Sequence, residues 1–243
     1  MNKVIRYGIY EAKIYFRIKS SVFYSILFPI VLLLMYYVGN GGSSAINEYF
    51  PYLVSITMIS TAAGLSNLIV NNRVYNMWKF YNFFEYKTWQ MTVATGIIYF
   101  ILSEVICLGM AGIMIFVLKT LRISILNFTL FMLATGLGTV LYIEIAIIVG
   151  LGISDPRNAQ TIINGFIYLF VILSGSIFRF SGKSVMGKIM LVFPNIHIGN
   201  ILRQLWNGGK INMYSLEIVA GYIIILLGVI TYLIKRERQK LLY

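Results

Sequence analysis

Charge is scarce in this sequence. Of 243 residues, 12% are Asp, Glu, Lys or Arg and 59% are hydrophobic; a soluble domain carries about 25% charged residues. A soluble fold so thinly charged would expose wide apolar patches and aggregate, so lipid is the solvent this surface suits. There is one cysteine, Cys107, inside an apolar run. That excludes an internal disulfide and a thiolate cluster and leaves a buried, inert thiol. One histidine, His197, excludes a histidine-rich metal site. Acids number eight against 20 Lys and Arg, for a net charge of +12. The cations sit mainly at the ends of apolar runs and form no basic soluble domain, which points to membrane topology rather than to nucleic acid.

What is present is apolar length. A spanning helix needs about 20 mostly apolar residues, and six runs approach or exceed that: 21–38, 50–70, 91–118, 125–153, 159–178 and 216–234. A seventh, 185–193, is too short to cross. The expected fold is therefore an all-α integral membrane protein with six transmembrane helices, one domain over 1–243. No cleavable signal peptide is expected, because a long charged segment without a small-residue cleavage site precedes the first run. Lys3, Arg6, Lys13, Arg17 and Lys19 lead into it, and Lys235, Arg236, Arg238 and Lys240 follow the last. Positive flanks stay inside, so both termini are expected in the cytoplasm of a multi-pass protein. The loop 73–90, with Arg73, Lys79 and Lys87, falls on the same side. The first external loop, 39–49, has no Lys or Arg. Against the rule, the external segment 179–210 holds Arg179, Lys183, Lys188, Arg203 and Lys210; it reads as a partly folded external element.

Lys3, Arg6, Tyr10, Lys13 and Arg17 recur at spacings that place them within about a quarter of a helical wheel. Val4, Ile5, Ile9, Ile14, Phe16 and Ile18 occupy much of the rest. The segment 2–19 thus reads as a basic amphipathic helix in the headgroup plane, serving as a lever, as a topology anchor, or as both.

Two acids, Glu104 and Glu144, fall inside the third and fourth runs. A charge at bilayer depth costs roughly 2.5 kcal/mol or more, and such residues usually face a bundle interior or a cavity. Each either lines a transport path or proton site, or makes a hydrogen bond between helices. No basic partner at depth is evident. Ser181-Gly182-Lys183-Ser184 mimics the tail of a phosphate loop, but Ile177 stands where a glycine is required, and a membrane helix precedes it instead of a strand. With no catalytic motif either, the chain is not expected to be an enzyme. The loop 73–90 is crowded with aromatics: Tyr75, Trp78, Phe80, Tyr81, Phe83, Phe84, Tyr86 and Trp89. This is either an interfacial aromatic belt or a docking surface, since aromatics and Arg anchor interfaces.

At the fifth run the layout becomes a familiar one. Ser174-Gly175 lies near its end; Phe193-Pro194, His197, Leu202-Arg203 and Gly208-Gly209 follow, just before the last run. Together with the basic amphipathic start, six spans and a cytoplasmic loop after the second, this resembles the membrane subunits of ABC-2 type exporters over nearly the whole chain. The resemblance implies short re-entrant helices within 181–213, carrying Pro194, His197 and Arg203. It also implies a coupling helix beginning at Arg73, with Tyr75, Trp78, Phe80, Phe83, Phe84, Glu85 and Trp89 on or near it. The acidic neighbours, the Gly and the later Pro often found in such a helix are absent; Asn71, Asn72 and Asn76 stand by Arg73 instead. Implied partners are two ABC ATPase subunits carrying ATP and Mg, a second permease copy or paralogue, and the bilayer; no nucleic acid and no cofactor of the chain's own are implied. The pathway would run between the membrane halves past Phe28, Pro29, Tyr36, Tyr52, Asn67, Asn164 and Tyr168, with Glu104 and Glu144. The compact size looks most like bacterial, Gram-positive exporters of amphipathic peptides or toxins. Two other classes fit the bare sequence: a membrane receptor or immunity protein that binds a toxin without pumping it, and a secondary transporter using Glu104 and Glu144.

Overall fold

The apolar runs become helices because hydrocarbon offers backbone amides no partner except one another. The structure is a computed structural model that describes residues 3–17, 19, 23–39, 43–78, 80, 87–118, 123–153, 161–163, 165, 169, 187–188 and 191–240. Among these residues there is no strand. Helix α1 is Lys3–Arg17; a π-helical turn, Phe23–Leu27, leads into α2, Phe28–Gly39. Then come α3 (Ser43–Val74), α4 (Thr88–Gly112, extended by the π-helical turn Ile113–Val117), α5 (Ile125–Gly152), α6 (Pro194–Trp206) and α7 (Met213–Lys240).

Four of these are long and apolar enough to cross a membrane: Ile46–Val74, Trp89–Val117, Ile125–Gly152 and Met213–Arg236. Even the last, at 24 residues, extends about 36 Å at 1.5 Å per residue, beyond a hydrocarbon core of about 30 Å. The run 21–38 yields a shorter apolar helix, Ser25–Gly39. The run 159–178 lies largely outside the described residues, as do Ser174, Gly175 and most of 181–190. Among the described residues the expectation of an all-helical chain holds, with four candidate spans.

Local chemistry sets the helix ends. Ser124 caps α5, its Oγ accepting from the Asn127 amide at 3.2 Å. Asn76 closes α3 in the left-handed region, φ 54°, and its amide donates to Arg73 O at 3.1 Å. Asparagine, like glycine, tolerates that conformation at a helix C-terminus. Helix α3 is the hub: it is largely buried and packs against α2, α4, α5 and α6. The seam between α3 and α5 is tightest at Gly150, where an added Cβ would lie 2.9 Å from Ile69 Cβ and 3.1 Å from Ser66 O. Beside it the Ser66 hydroxyl donates to Ala146 O at 2.6 Å. Small residues permitting such close approach are a common means of helix packing in lipid. At the rim, α7 leaves Ile224, Ile225, Leu227 and Tyr232 exposed.

The bundle has two unlike ends. The end of α3, the start of α4 and the end of α5 meet at one, with α1 alongside. The start of α3, the end of α4 and the starts of α5 and α7 meet at the other, with α6 packed among α3, α5 and α7.

Candidate functional site

At the α1 end, Arg73 stands on the last turn of α3. Its Nη1 lies 3.0 Å from Gly150 O, 2.7 Å from Leu151 O and 2.9 Å from Ile153 O. The last carbonyls of a helix have no partner within it and carry partial negative charge, so a guanidinium across them caps α5 in both senses. The sequence made Arg73 the first residue of an aromatic loop; the structure adds that it also holds the end of a neighbouring span. Around it Tyr75, Phe80 and Trp89 are exposed at 72%, 56% and 52%, whereas Trp78 is only 4% exposed and belongs to the core. Of the aromatics read as one docking surface, Trp78 is therefore a packing residue, and three of the described others face outward. Phe83, Phe84 and Glu85 lie outside the described residues.

Helix α1 packs one narrow stripe, Tyr7, Gly8, Glu11 and Tyr15, against the bundle. A Cβ on Gly8 would come within 2.8 Å of Ile98 Cγ1, so a side chain there would have to displace Ile98 or move α1 away from α4. Asn72 Nδ2 donates to the Tyr7 hydroxyl at 3.3 Å. The Tyr15 ring meets Tyr99 edge-on, centroids 5.4 Å apart, and both rings rest against Gly64. Along α3 the contacts of α1 are about two turns apart, at Asn72 and Gly64, whereas along α4 Gly8 and Tyr15 meet neighbouring residues, Ile98 and Tyr99. Arg6, Tyr10, Lys13 and Arg17 face out, as their spacing predicts.

Glu11 is the unexpected member of that packed stripe, 2% exposed. Burial pushes its carboxyl above the ordinary carboxylate range, opposed by a hydrogen bond with Tyr7; burial likewise raises the Tyr15 phenol. A raised acid binds more protons folded than unfolded across the interval between its two pKa values, so stability falls as pH rises there. Docking of α1 should accordingly be firmest below pH 4.5, the ordinary value, and loosen as pH rises through the raised one. Glu11→Gln should keep α1 docked across that range. Hydrogen exchange of α1 amides at several pH values, corrected for intrinsic rates, checks this; a Gln variant with unchanged pH dependence would refute it.

The two membrane acids have different surroundings. Half-buried Glu104 on α4 accepts from two hydroxyls one turn apart on α5, Thr135 Oγ1 at 2.8 Å and Thr139 Oγ1 at 3.0 Å. Ser103 and Thr139 hydroxyls add a contact at 3.2 Å. Glu104 thus joins α4 to α5 through accepted hydrogen bonds. Glu144 on α5 is 3% exposed, and neither carboxyl oxygen has a hydrogen-bond partner among the described residues. Of the other path residues, Tyr52 is buried, Phe28 and Asn67 are half-buried, and the Tyr36 side chain, Asn164 and Tyr168 lie outside the described residues.

At the other end, Pro194 opens α6 as its first residue, where a missing amide costs nothing. Thirteen residues reach about 20 Å, too short to cross, yet most of the helix is buried. Trp206 is wedged between Phe50 of α3, ring centroids 4.3 Å apart, and Phe131 of α5, 5.0 Å apart. The Tyr142 hydroxyl donates to Asn195 Oδ1. His197 Nε2 lies 2.8 Å from Leu191 O and Nδ1 3.2 Å from Ser215 Oγ. A carbonyl can only accept, so the first contact places a proton on Nε2, and the ring ties α6 to the start of α7. Arg203, half-buried, sits in the last turn of α6, where a cation suits the helix dipole. The turn to α7 is closed by Gly209 N–H to Gln204 O at 2.7 Å and Asn212 N–H to Gln204 Oε1 at 2.9 Å.

Sequence reasoning missed the Arg73 cap, the Glu104 hydroxyl pair and the buried Glu11. Tyr7, Glu11 and Tyr15 at intervals of four, and Thr135 and Thr139 likewise, were the available signals. No known protein-family model matches the chain, and no curated protein matches it.

Proposed function

We propose that the chain is the membrane-spanning subunit of an ATP-driven exporter of a hydrophobic or amphipathic substrate, a peptide above all, resident in a bacterial cell membrane with both termini in the cytoplasm. Hydrolysis of ATP with Mg would occur in two separate ATPase subunits docked at the α1 end, and a second copy or paralogue would complete the pathway. The observation that carries this reading is the Arg73 contact. Exposed Tyr75 and Phe80 follow an arginine whose guanidinium grips the last carbonyls of α5. A push on that aromatic surface has a short, charge-assisted route into a span, which a mere topology loop does not need. The short α6, embedded at the opposite end, fits the re-entrant element such a subunit uses.

The test is a pull-down in mild detergent from native membranes. Tyr75→Ala with Phe80→Ala should lose a bound ATPase that the unaltered chain retains, with the helical content of the chain unchanged. Trp78 is left intact, because its burial would make its removal a test of folding. Retention of the same ATPase by the double variant would refute this docking surface. One observation favours a second reading: Glu144, buried with no hydrogen-bond partner among the described residues, is the carboxyl a proton-coupled transporter would use. That reading predicts transport that follows a pH gradient with no ATPase bound.

A further inference from the structure

Among the described side chains of α1, the buried ones form one stripe. At about 100° per residue, the packed stripe of Tyr7, Gly8, Glu11 and Tyr15 leaves two flanks free. One carries Arg6, Lys13 and Arg17, all exposed; the other carries Ile9 and Phe16, 43% and 55% exposed. These two flanks adjoin, centred about 70° apart on the wheel. Because the packed stripe fixes the rotation of α1, the adjoining cationic and apolar flanks are held in place rather than averaged. The same end of the bundle exposes Lys87, Lys235 and Arg236. Among the described side chains, the exposed carboxylates, Glu48 and Glu217, lie in the first two turns of α3 and α7, at the opposite end.

We infer that this face of α1 binds an anionic phospholipid of the adjacent leaflet. The phosphate sits against Arg6, Lys13 and Arg17, and an acyl chain lies along Ile9 and Phe16. Both halves of the ligand are needed to account for the surface. A soluble anion leaves Ile9 and Phe16 in water, and a zwitterionic lipid leaves the cations without net countercharge. The inference requires only that the chain resides in a membrane, and holds whether or not an ATPase partner exists.

The test uses the full chain in a neutral detergent, titrated separately with phosphatidylglycerol, with phosphatidylcholine of the same acyl chains and with glycerol phosphate, following the unfolding temperature. A ligand that binds only the folded state raises that temperature in a saturable way. The expected result is a rise with phosphatidylglycerol alone, diminished by salt. The triple variant Arg6→Gln, Lys13→Gln, Arg17→Gln should weaken the apparent affinity on the order of a hundredfold, about fivefold per cation. The pair Ile9→Ser and Phe16→Ser should weaken it too. Removing two cations at the other end, Lys188→Gln with Lys210→Gln, should leave it unchanged. Undiminished binding by the triple variant, an equal response to phosphatidylcholine, or an equal response to glycerol phosphate would each overturn the inference.

Discussion

Replacing Arg73 by alanine should destabilise the chain by about 2–4 kcal/mol and free the C-terminal turn of α5. Three carbonyls, of Gly150, Leu151 and Ile153, share its guanidinium. A hydrogen bond to a charged group contributes roughly 1.5–3 kcal/mol, and an interaction with the helix dipole about 0.3–1 kcal/mol more. The contributions do not simply add, since the bonds share one nitrogen and water reaches a half-buried site. A lysine in its place would keep the charge but lose the planar fork, so Arg73→Lys should recover only part of the loss. Thermal unfolding in detergent measures the stability, and hydrogen exchange over 146–153 locates the effect. If exchange there stays as slow in the alanine variant as in the parent, the cap has no mechanical role. The functional consequence is sharper than the stability loss. If the proposed ATPase docks on Tyr75 and Phe80, a chain with Arg73→Ala that still folds should bind it yet fail to transmit its movement.

The second large effect belongs to Trp206. It is 1% exposed, between Phe50 and Phe131, and joins three helices through one side chain. Truncation of a buried Trp to Ala costs about 3–5 kcal/mol, since the vacated space is only partly refilled. Trp206→Ala should therefore release α6 from α3 and α5 while the long spans remain helical. Its indole nitrogen has no hydrogen-bond partner among the described residues, so Trp206→Phe sacrifices volume alone and should cost much less. Proteolysis and hydrogen exchange of 194–206 separate the two variants. Equal losses would show that the indole contributes something other than packing.

The spans were legible because hydropathy is a property of the chain alone. The run 125–153 appears as α5, Ile125–Gly152, and 91–118 as Trp89–Val117; the helices outrun 50–70 and 216–234 by a few polar residues at each end. The cationic stripe of α1 was legible for the same reason, since Arg6, Lys13 and Arg17 need only 3.6 residues per turn to align. What sequence did not disclose depends on pairs. Glu104 and its hydroxyl partners on α5 lie some 30 residues apart, and nothing in either segment states how the two helices are rotated. Arg73 likewise meets carbonyls far along the chain, and backbone carbonyls leave no trace in residue type. Trp78 shows the limit of composition: it stands in a row of exposed aromatics and is itself buried. Glu11 shows the same limit in reverse, a charged residue type occupying the packed face of a helix on which Arg6, Lys13 and Arg17 face out.

The central claim is that this chain is the membrane half of a machine whose ATPase is a separate protein. The most direct measurement is Mg-dependent ATP hydrolysis by the complex isolated on this chain from its native membranes in mild detergent. The account predicts an ATP-binding subunit present in stoichiometric amount, hydrolysis that follows it through purification, and loss of both when Tyr75 and Phe80 are replaced by alanine. A homogeneous chain that carries no ATPase and hydrolyses nothing would contradict it, and would turn attention to the buried carboxyl of Glu144.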